Sequence, residues 1–315
     1  MPDNILTIDN LYVEDTSAAI LAGVSLCVRK GERVALVGES GCGKTMTLRT
    51  LLHMLPEDVR IRSGSILFKG TDVLSLKGRK RRDLLYRQLG FVGQNTSENL
   101  HPLLKVGRQL TDFYREIRKC SRAEAMARAE KLLVSLSLDD TSRILSSYPG
   151  ELSGGMRQRV SIAIALMNET GFLIADEPTS ALDAAVRVQI EDLYLKIAQE
   201  THMAMLLVSH DLSFVRKLAD RVYVMYAGKI VEEGLAGEIF SSPCHPYTKA
   251  LIALSDIRNK SRDEDLDELG GYVPRDGRDD PRCAFLSRCA SSCAECTKPL
   301  EYRKLSRTHY VRCVL

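Results

Sequence analysis

Residues 38–45 read Gly-Glu-Ser-Gly-Cys-Gly-Lys-Thr, a complete G-x-x-x-x-G-K-[ST] loop. The apolar run Val34-Ala35-Leu36-Val37 precedes it, and a helix-forming stretch from Met46 to Leu55 follows. Strand, glycine-rich loop and helix in that order commit the chain to an α/β core with a phosphate-binding loop at a strand end. Each residue type has a task there. The glycines let backbone N–H groups turn inward around a β-phosphate, Lys44 places a cation between β- and γ-oxygens, and the Thr45 hydroxyl can ligate Mg²⁺. Gly38, Glu39, Ser40, Gly41, Cys42, Gly43, Lys44 and Thr45 are therefore the expected contacts to a nucleoside triphosphate.

Leu152-Ser153-Gly154-Gly155-Met156-Arg157-Gln158-Arg159 marks a second anion site. Ser153 suits a helix N-cap, and Met156 to Leu166 has the apolar spacing of a helix. A helix start favours a phosphate through its free N–H groups and dipole. The phosphates already held by Lys44 are out of easy reach for this loop, so the one it meets is expected to belong to a partner. Farther on, Phe172-Leu173-Ile174-Ala175-Asp176-Glu177 is an apolar run that suits a buried strand delivering two carboxylates at its end. Ala204 to Val208 reads as another buried strand, leading into Ser209-His210-Asp211, and Gln94 follows the strand-like Leu89 to Gly93.

With these segments together, the chain resembles the ABC family of ATPases. The resemblance implies an α/β P-loop nucleotide-binding domain with a mixed sheet core, and a helical subdomain at about 95–155 that faces membrane subunits. It implies that Ser153, Gly154 and Gly155 complete, in trans, the ATP site of an opposing subunit in a head-to-tail dimer. Asp176 matches the Mg²⁺-organising carboxylate, Glu177 the one that polarises the attacking water, and His210 the switch histidine at the γ-phosphate. Gln94 matches the glutamine that touches Mg²⁺ or water, and Ser180-Ala181-Leu182-Asp183 resembles a dimer-contact loop. For the adenine ring the nearest aromatic is Tyr12, which reads equally as a strand residue packing in the N-terminal sheet; Glu14 and Asp15 lie where the stacking residue is usual.

Tyr148 to Arg159, with Met156 directly after Ser-Gly-Gly, and Ser242-Pro243-Cys244-His245-Pro246-Tyr247-Thr248-Lys249-Ala250-Leu251 resemble the oligopeptide, dipeptide and nickel importer ATPases over essentially the whole chain. Gly150 stands where many relatives have His. The resemblance implies an ATP-hydrolysing subunit that energises import of di- or oligopeptides, or of nickel, across the bacterial cytoplasmic membrane. It would sit on the cytoplasmic face, paired with a second ABC ATPase subunit, a non-identical one as is common among relatives, and with two membrane permease subunits. An extracytoplasmic solute-binding protein would be an indirect partner. ABC ATPases of DNA repair or translation form a different class, with long coiled-coil insertions or two cassettes in one chain, and this sequence shows neither.

Composition is consistent with that reading. Of 315 residues, 44% are hydrophobic and 27% charged, an ordinary globular balance. No apolar stretch approaches the ~18 residues of a membrane span, and Met1-Pro2-Asp3-Asn4 has neither the basic flank nor the long apolar core expected of a secretory signal. A net charge of +3 is too small to argue for nucleic acid, and the basic run Lys77 to Arg82 reads as a solvated helix face.

An ATPase domain is expected over 1–254, a charged linker over 255–282 and a Cys-rich extension over 283–315. Of nine cysteines, Cys283, Cys289, Cys293, Cys296 and Cys313 fall in the extension. Such density in a segment without a large core of its own, in a compartment that disfavours disulfides, points to a thiolate-bound metal. The spacing resembles the C-terminal motif of peptide-importer ATPases, which implies a [4Fe–4S] cluster on Cys283, Cys289, Cys296 and Cys313 with Cys293 spare. Tetrahedral zinc, using the Cys293-x-x-Cys296 pair, and unligated thiols are the alternatives.

Overall fold

A computed structural model describes residues 4–94, 99–180, 182–258, 272–274 and 277–315. Along the chain the strands are β1 (Asn4–Glu14), β2 (Ala19–Arg29), β3 (Arg33–Val37), β4 (Arg60–Phe68), β5 (Thr71–Asp72), β6 (Gly90–Val92), β7 (Phe172–Asp176), β8 (Ala204–Ser209), β9 (Arg221–Tyr226), β10 (Lys229–Leu235), β11 (Arg303–Lys304) and β12 (Tyr310–Val311). The chain divides into two compact units, Met1–Leu76 with Leu206–Leu315, and Lys77–Met205.

The first unit holds an antiparallel sheet in the order β2-β1-β4-β5 and the strands β11-β12-β10-β9-β3-β8 of a mixed sheet. In the latter, β3 and β9 run parallel, with Val34 opposite Arg221 and Val37 opposite Val224. Both strands are apolar and buried, as strands covered on two faces must be. The last strands come from the Cys-rich extension: β12 pairs antiparallel with β10, Glu232 opposite Val311, and β11 pairs with β12. The extension is thus built onto the sheet of the ATPase core.

The helix after the phosphate loop spans Lys44–Leu51, shorter than the expected run to Leu55. His53 takes a left-handed backbone, φ 56°, fixed by a 2.8 Å hydrogen bond between its Nε2 and Val73 O, and that turn ends the helix. Met54, whose apolar character suggested continuation, is 58% exposed.

In the second unit β6 and β7 pair in parallel, Gly90 with Leu173 and Val92 with Ala175. Two helices span Val106–Arg118 and Arg122–Ser135. Ser121 and Glu124 form a reciprocal capping box at the second, which satisfies two otherwise orphaned N–H groups. Helices Thr141–Ser146, Gly154–Leu166 and Ala184–Thr201 start at Asp140, Ser153 and Asp183, each of whose side chains accepts a backbone N–H. No helix among the described residues is long and apolar enough to cross a membrane.

Candidate nucleotide site

The phosphate loop leaves the end of β3 with its glycines in conformations that side chains resist: φ is 153° at Gly38, 78° at Gly41 and 118° at Gly43. A Cβ at Gly38 would also lie 2.2 Å from Met225 O, so this backbone can pass β9 only as glycine. The loop curls around its own lysine. Lys44 Nζ donates to Gly38 O at 2.7 Å and Glu39 O at 3.0 Å, and Lys44 is 6% exposed. Thr45 is half-buried beside it and Ser40 and Gly41 are exposed. Cys42 is fully buried, and that burial pushes its thiol up from the ordinary value. His210, exposed, comes directly after β8. Asp211 next to it caps the Leu212–Leu218 helix by accepting from Ser213 N at 3.0 Å and Phe214 N at 3.2 Å.

The remaining expected residues belong to the second unit. Asp176 ends β7 and Glu177 follows it, 5% and 8% exposed. The β6/β7 register places exposed Gln94 at the same end of this parallel pair. Glu177 has a left-handed backbone, φ 48°, in a turn closed by Ser180, whose N–H and Oγ donate to Glu177 O at 3.2 and 3.0 Å. Ser153 Oγ accepts from Met156 N at 3.3 Å, the cap expected from sequence. It leaves Ser153 and Gly154 exposed at a helix start. Gly155 is glycine for packing: a Cβ would come within 2.8 Å of Val186 Cγ1. Ala181 of the proposed dimer-contact loop lies outside the described residues, while Asp183 accepts from Val186 N at 2.9 Å.

Gln158 was not singled out from sequence. Its Nε2 donates to Pro178 O at 2.8 Å in a buried setting, tying the Ser-Gly-Gly helix to the Glu177 turn. The structure therefore gathers the phosphate loop and His210 in one unit, and Gln94, Ser153 to Gly155, Asp176 and Glu177 in the other. Tyr12 has one ring face covered by the Arg62 guanidinium, 4.6 Å from the centroid.

The His-Pro-Tyr segment is buried against both the loop and the extension. Tyr247 Oη accepts the Glu39 N–H at 2.8 Å. Its ring lies 4.7 Å from Tyr226 and 5.5 Å from Phe285 of the extension. His245 Nδ1 accepts from Tyr247 N at 3.1 Å, and burial lowers His245 to about 4, so the ring is neutral at physiological pH. Glu232, fully buried on β10, accepts from Cys244 N at 2.7 Å and His245 N at 3.0 Å and pairs with His309 Nε2 at 2.7 Å. One carboxylate thus fastens both the His-Pro-Tyr turn and the last strand.

In the extension, Cys283 N donates to Cys296 O at 3.4 Å. Burial and then the neighbouring thiols of Cys296, Cys313 and Cys289 push Cys283 up to about 11. Cys293 Sγ lies 3.6 Å from Cys296 Sγ. Among the described residues, the group whose ligand atoms all lie within 4.8 Å of one another is Glu232, Cys244 and His309, not a set of extension thiols. Since that carboxylate already serves three hydrogen bonds, the trio is a fastening rather than a vacant ligand set. The segment expected as a linker is partly docked: a helix runs Pro246–Arg258 and Arg278 is 7% exposed. Residues 259–271, 275 and 276, which include the acidic runs, lie outside the described residues.

Residues 21–180 match the ABC transporter family, and residues 231–296 match the family described as oligopeptide/dipeptide transporter, C-terminal region. The dipeptide transport ATP-binding protein DppD of Bacillus subtilis is 36% identical over 99% of this chain and 95% of its own length. A probable peptide ABC transporter ATP-binding protein, y4tR, of Sinorhizobium fredii is 37% identical over 92% of this chain and 87% of its own. Among solved structures, the dimeric bacterial ABC transporter cassette MJ0796 superposes with a TM-score of 0.65 at 26% identity, covering 73% of this chain and 98% of that one. A second structure of that cassette holds ADP and Pi in a post-hydrolysis state, with the same score and coverage. The loop wrapped on Lys44, the capped Ser-Gly-Gly helix and the successive carboxylates at the end of β7 accord with these matches: the chain belongs to the ABC transporter family of ATPases and carries the C-terminal region of its oligopeptide/dipeptide branch.

Proposed function

We propose that this protein is the ATP-hydrolysing subunit that energises import of di- or oligopeptides across the bacterial cytoplasmic membrane. The observation that carries the peptide reading is the match of residues 231–296 to the oligopeptide/dipeptide C-terminal region, a segment C-terminal to the nucleotide-binding motifs. The relatives reported above are named for peptides, which favours peptides over nickel.

The roles follow from chemistry. Lys44 and the loop N–H groups bind the β- and γ-phosphates of ATP, and Thr45, Gln94 and Asp176 would hold Mg²⁺, whose charge offsets that of the phosphates. Glu177 orients and deprotonates the attacking water, and His210 hydrogen-bonds the γ-phosphate. Ser153, Gly154 and Gly155 present their helix start to ATP on the opposing subunit, so binding draws two subunits together and hydrolysis releases them. The opposing subunit is a second, non-identical ABC ATPase. The pair docks on two permease subunits at the cytoplasmic face and is served indirectly by an extracytoplasmic solute-binding protein.

For the extension we propose that Cys283, Cys289, Cys296 and Cys313 hold a [4Fe–4S] cluster. What supports this is the chemistry of the donor set: four cysteines, of which Cys296, Cys313 and Cys289 lie near enough to raise the Cys283 thiol, match the thiolate ligation such clusters use. Zinc is the rival, since the Cys293 and Cys296 sulfurs lie 3.6 Å apart. When bound, the cluster would cross-link the extension. Iron and acid-labile sulfide on anaerobically purified protein test this, with zinc at about one per chain as the opposing result.

The test of function is reconstitution of the chain with its permeases in liposomes. Peptide and binding protein should stimulate ATP hydrolysis. Glu177→Gln should keep ATP binding, trap the closed dimer and lower turnover by about 10²-fold or more. Turnover at the original rate would remove Glu177 from its role, and stimulation by nickel instead of peptide would overturn the substrate.

A further inference from the structure

Arg288 of the C-terminal extension and Arg278 of the stretch before it grip the phosphate loop. Arg288 donates from Nη1 to Glu39 Oε2 at 2.8 Å, from Nη2 to Glu39 Oε1 at 3.1 Å, and from Nη1 to Tyr226 Oη at 3.2 Å. The pair is shielded from water, with side chains 6% and 24% exposed. Arg278 donates to Gly41 O at 2.9 Å, Ile20 O at 3.0 Å and Pro274 O at 3.0 Å. Arg288 is fixed from its own side as well. It ends the Leu286–Arg288 turn, its N–H donates to Phe285 O at 3.0 Å, and the Phe285 ring is set 5.2 Å from Tyr226 and 5.5 Å from Tyr247.

A carboxylate on a phosphate-binding loop works against the loop's purpose. Glu39 follows Gly38 directly and its carbonyl is one of the acceptors around Lys44. Uncompensated, its negative charge would repel a triphosphate and compete for the Lys44 ammonium; at reduced dielectric such repulsion is weakly screened. A bidentate guanidinium removes the charge and fixes its direction.

We propose that Arg288 is a positioning residue for nucleotide binding: by neutralising and holding Glu39, the C-terminal extension completes the electrostatics of the phosphate loop, with Arg278 steadying the loop at the Gly41 carbonyl. The proposal rests on the reading of residues 38–45 as the ATP site. It makes the extension part of the nucleotide site rather than an appended module, although 249 residues separate the paired side chains. The loop's affinity then depends on ligand charge, so loss of Arg288 weakens ATP more than ADP and ADP more than AMP.

The experiment is calorimetric titration of the full chain with Mg·ATP, ADP and AMP. Arg288→Gln should raise Kd for ATP about tenfold, equivalent to about 1.4 kcal/mol, and raise it less for ADP. Glu39→Gln alone should bind ATP at least as tightly as the unaltered chain, and Glu39→Gln with Arg288→Gln should return to within about twofold of it. Arg288→Lys, which keeps the charge and loses the fork, should fall between; it also serves if Arg288→Gln does not fold. If both single Gln variants weaken ATP equally and the double variant does not recover, the pair is merely structural and the proposal is overturned. An unchanged Kd in Arg288→Gln overturns it too. Failure of the unaltered chain to bind ATP would instead overturn the reading of the loop itself.

Discussion

His245 gives the pH dependence of stability a definite sign. Its ring is 1% exposed, and burial lowers it from 6.5 to about 4. Between those values the unfolded chain holds a proton that the folded chain excludes, so stability is fully present above about pH 6.5 and is lost as pH falls toward 4. At about 1.36 kcal/mol per pH unit of difference, the whole loss is about 3 kcal/mol, of which about 2 kcal/mol falls between pH 7 and pH 5. For a chain of 315 residues that is a fall of about 3 °C in the unfolding midpoint. His245→Asn retains an acceptor for Tyr247 N but nothing that titrates in this range. Scanning calorimetry of both proteins at pH 5 and pH 7 should give a fall between the two pH values that is smaller in the variant by that amount. Comparing the two cancels the other histidines. An identical fall in both would mean that His245 is protonated without penalty and that the reasoning from burial is wrong.

Three further outcomes are expected. Gly155→Ala, placing a methyl 2.8 Å from Val186 Cγ1, should destabilise the chain by about 1–3 kcal/mol, and Val186→Ala in the same chain should recover most of it in thermal melts; no loss would remove packing as the reason for glycine. Tyr247→Phe takes the acceptor from Glu39 N and should lower protection of that amide in hydrogen exchange by about tenfold, near 1.4 kcal/mol; unchanged protection would show that the bond does not hold the loop. Cys289→Ser should lose iron with little change in ATP affinity, and retained iron would sink its place in the ligand set.

What could be read from sequence was what is written in neighbouring residues. The Lys44 loop, the Ser153 cap and the carboxylates after Ala175 are each specified by a few consecutive positions, because a strand end or a helix start is a local event. The His53 turn was hidden, since its left-handed backbone is fixed by Val73 O and not by its neighbours. Contacts across long separations left no trace at all: Tyr247 meets Glu39 over 208 residues, Arg278 meets Gly41 over 237 and Arg288 meets Glu39 over 249. The charged stretch before the cysteines reads as a solvated spacer by composition, yet Arg278 within it is buried. Only folding reveals that three backbone carbonyls await that guanidinium.

The backbone at Glu177 sets two demands against each other. A left-handed residue other than glycine, here φ 48°, carries a strain of about 1 kcal/mol that glycine would relieve. The residue that best suits the turn is therefore one that cannot activate water. Variants of this protein chosen only for heat resistance would accumulate glycine at position 177 and emerge sturdier and inert, so any programme to harden the chain has to screen for turnover at every round.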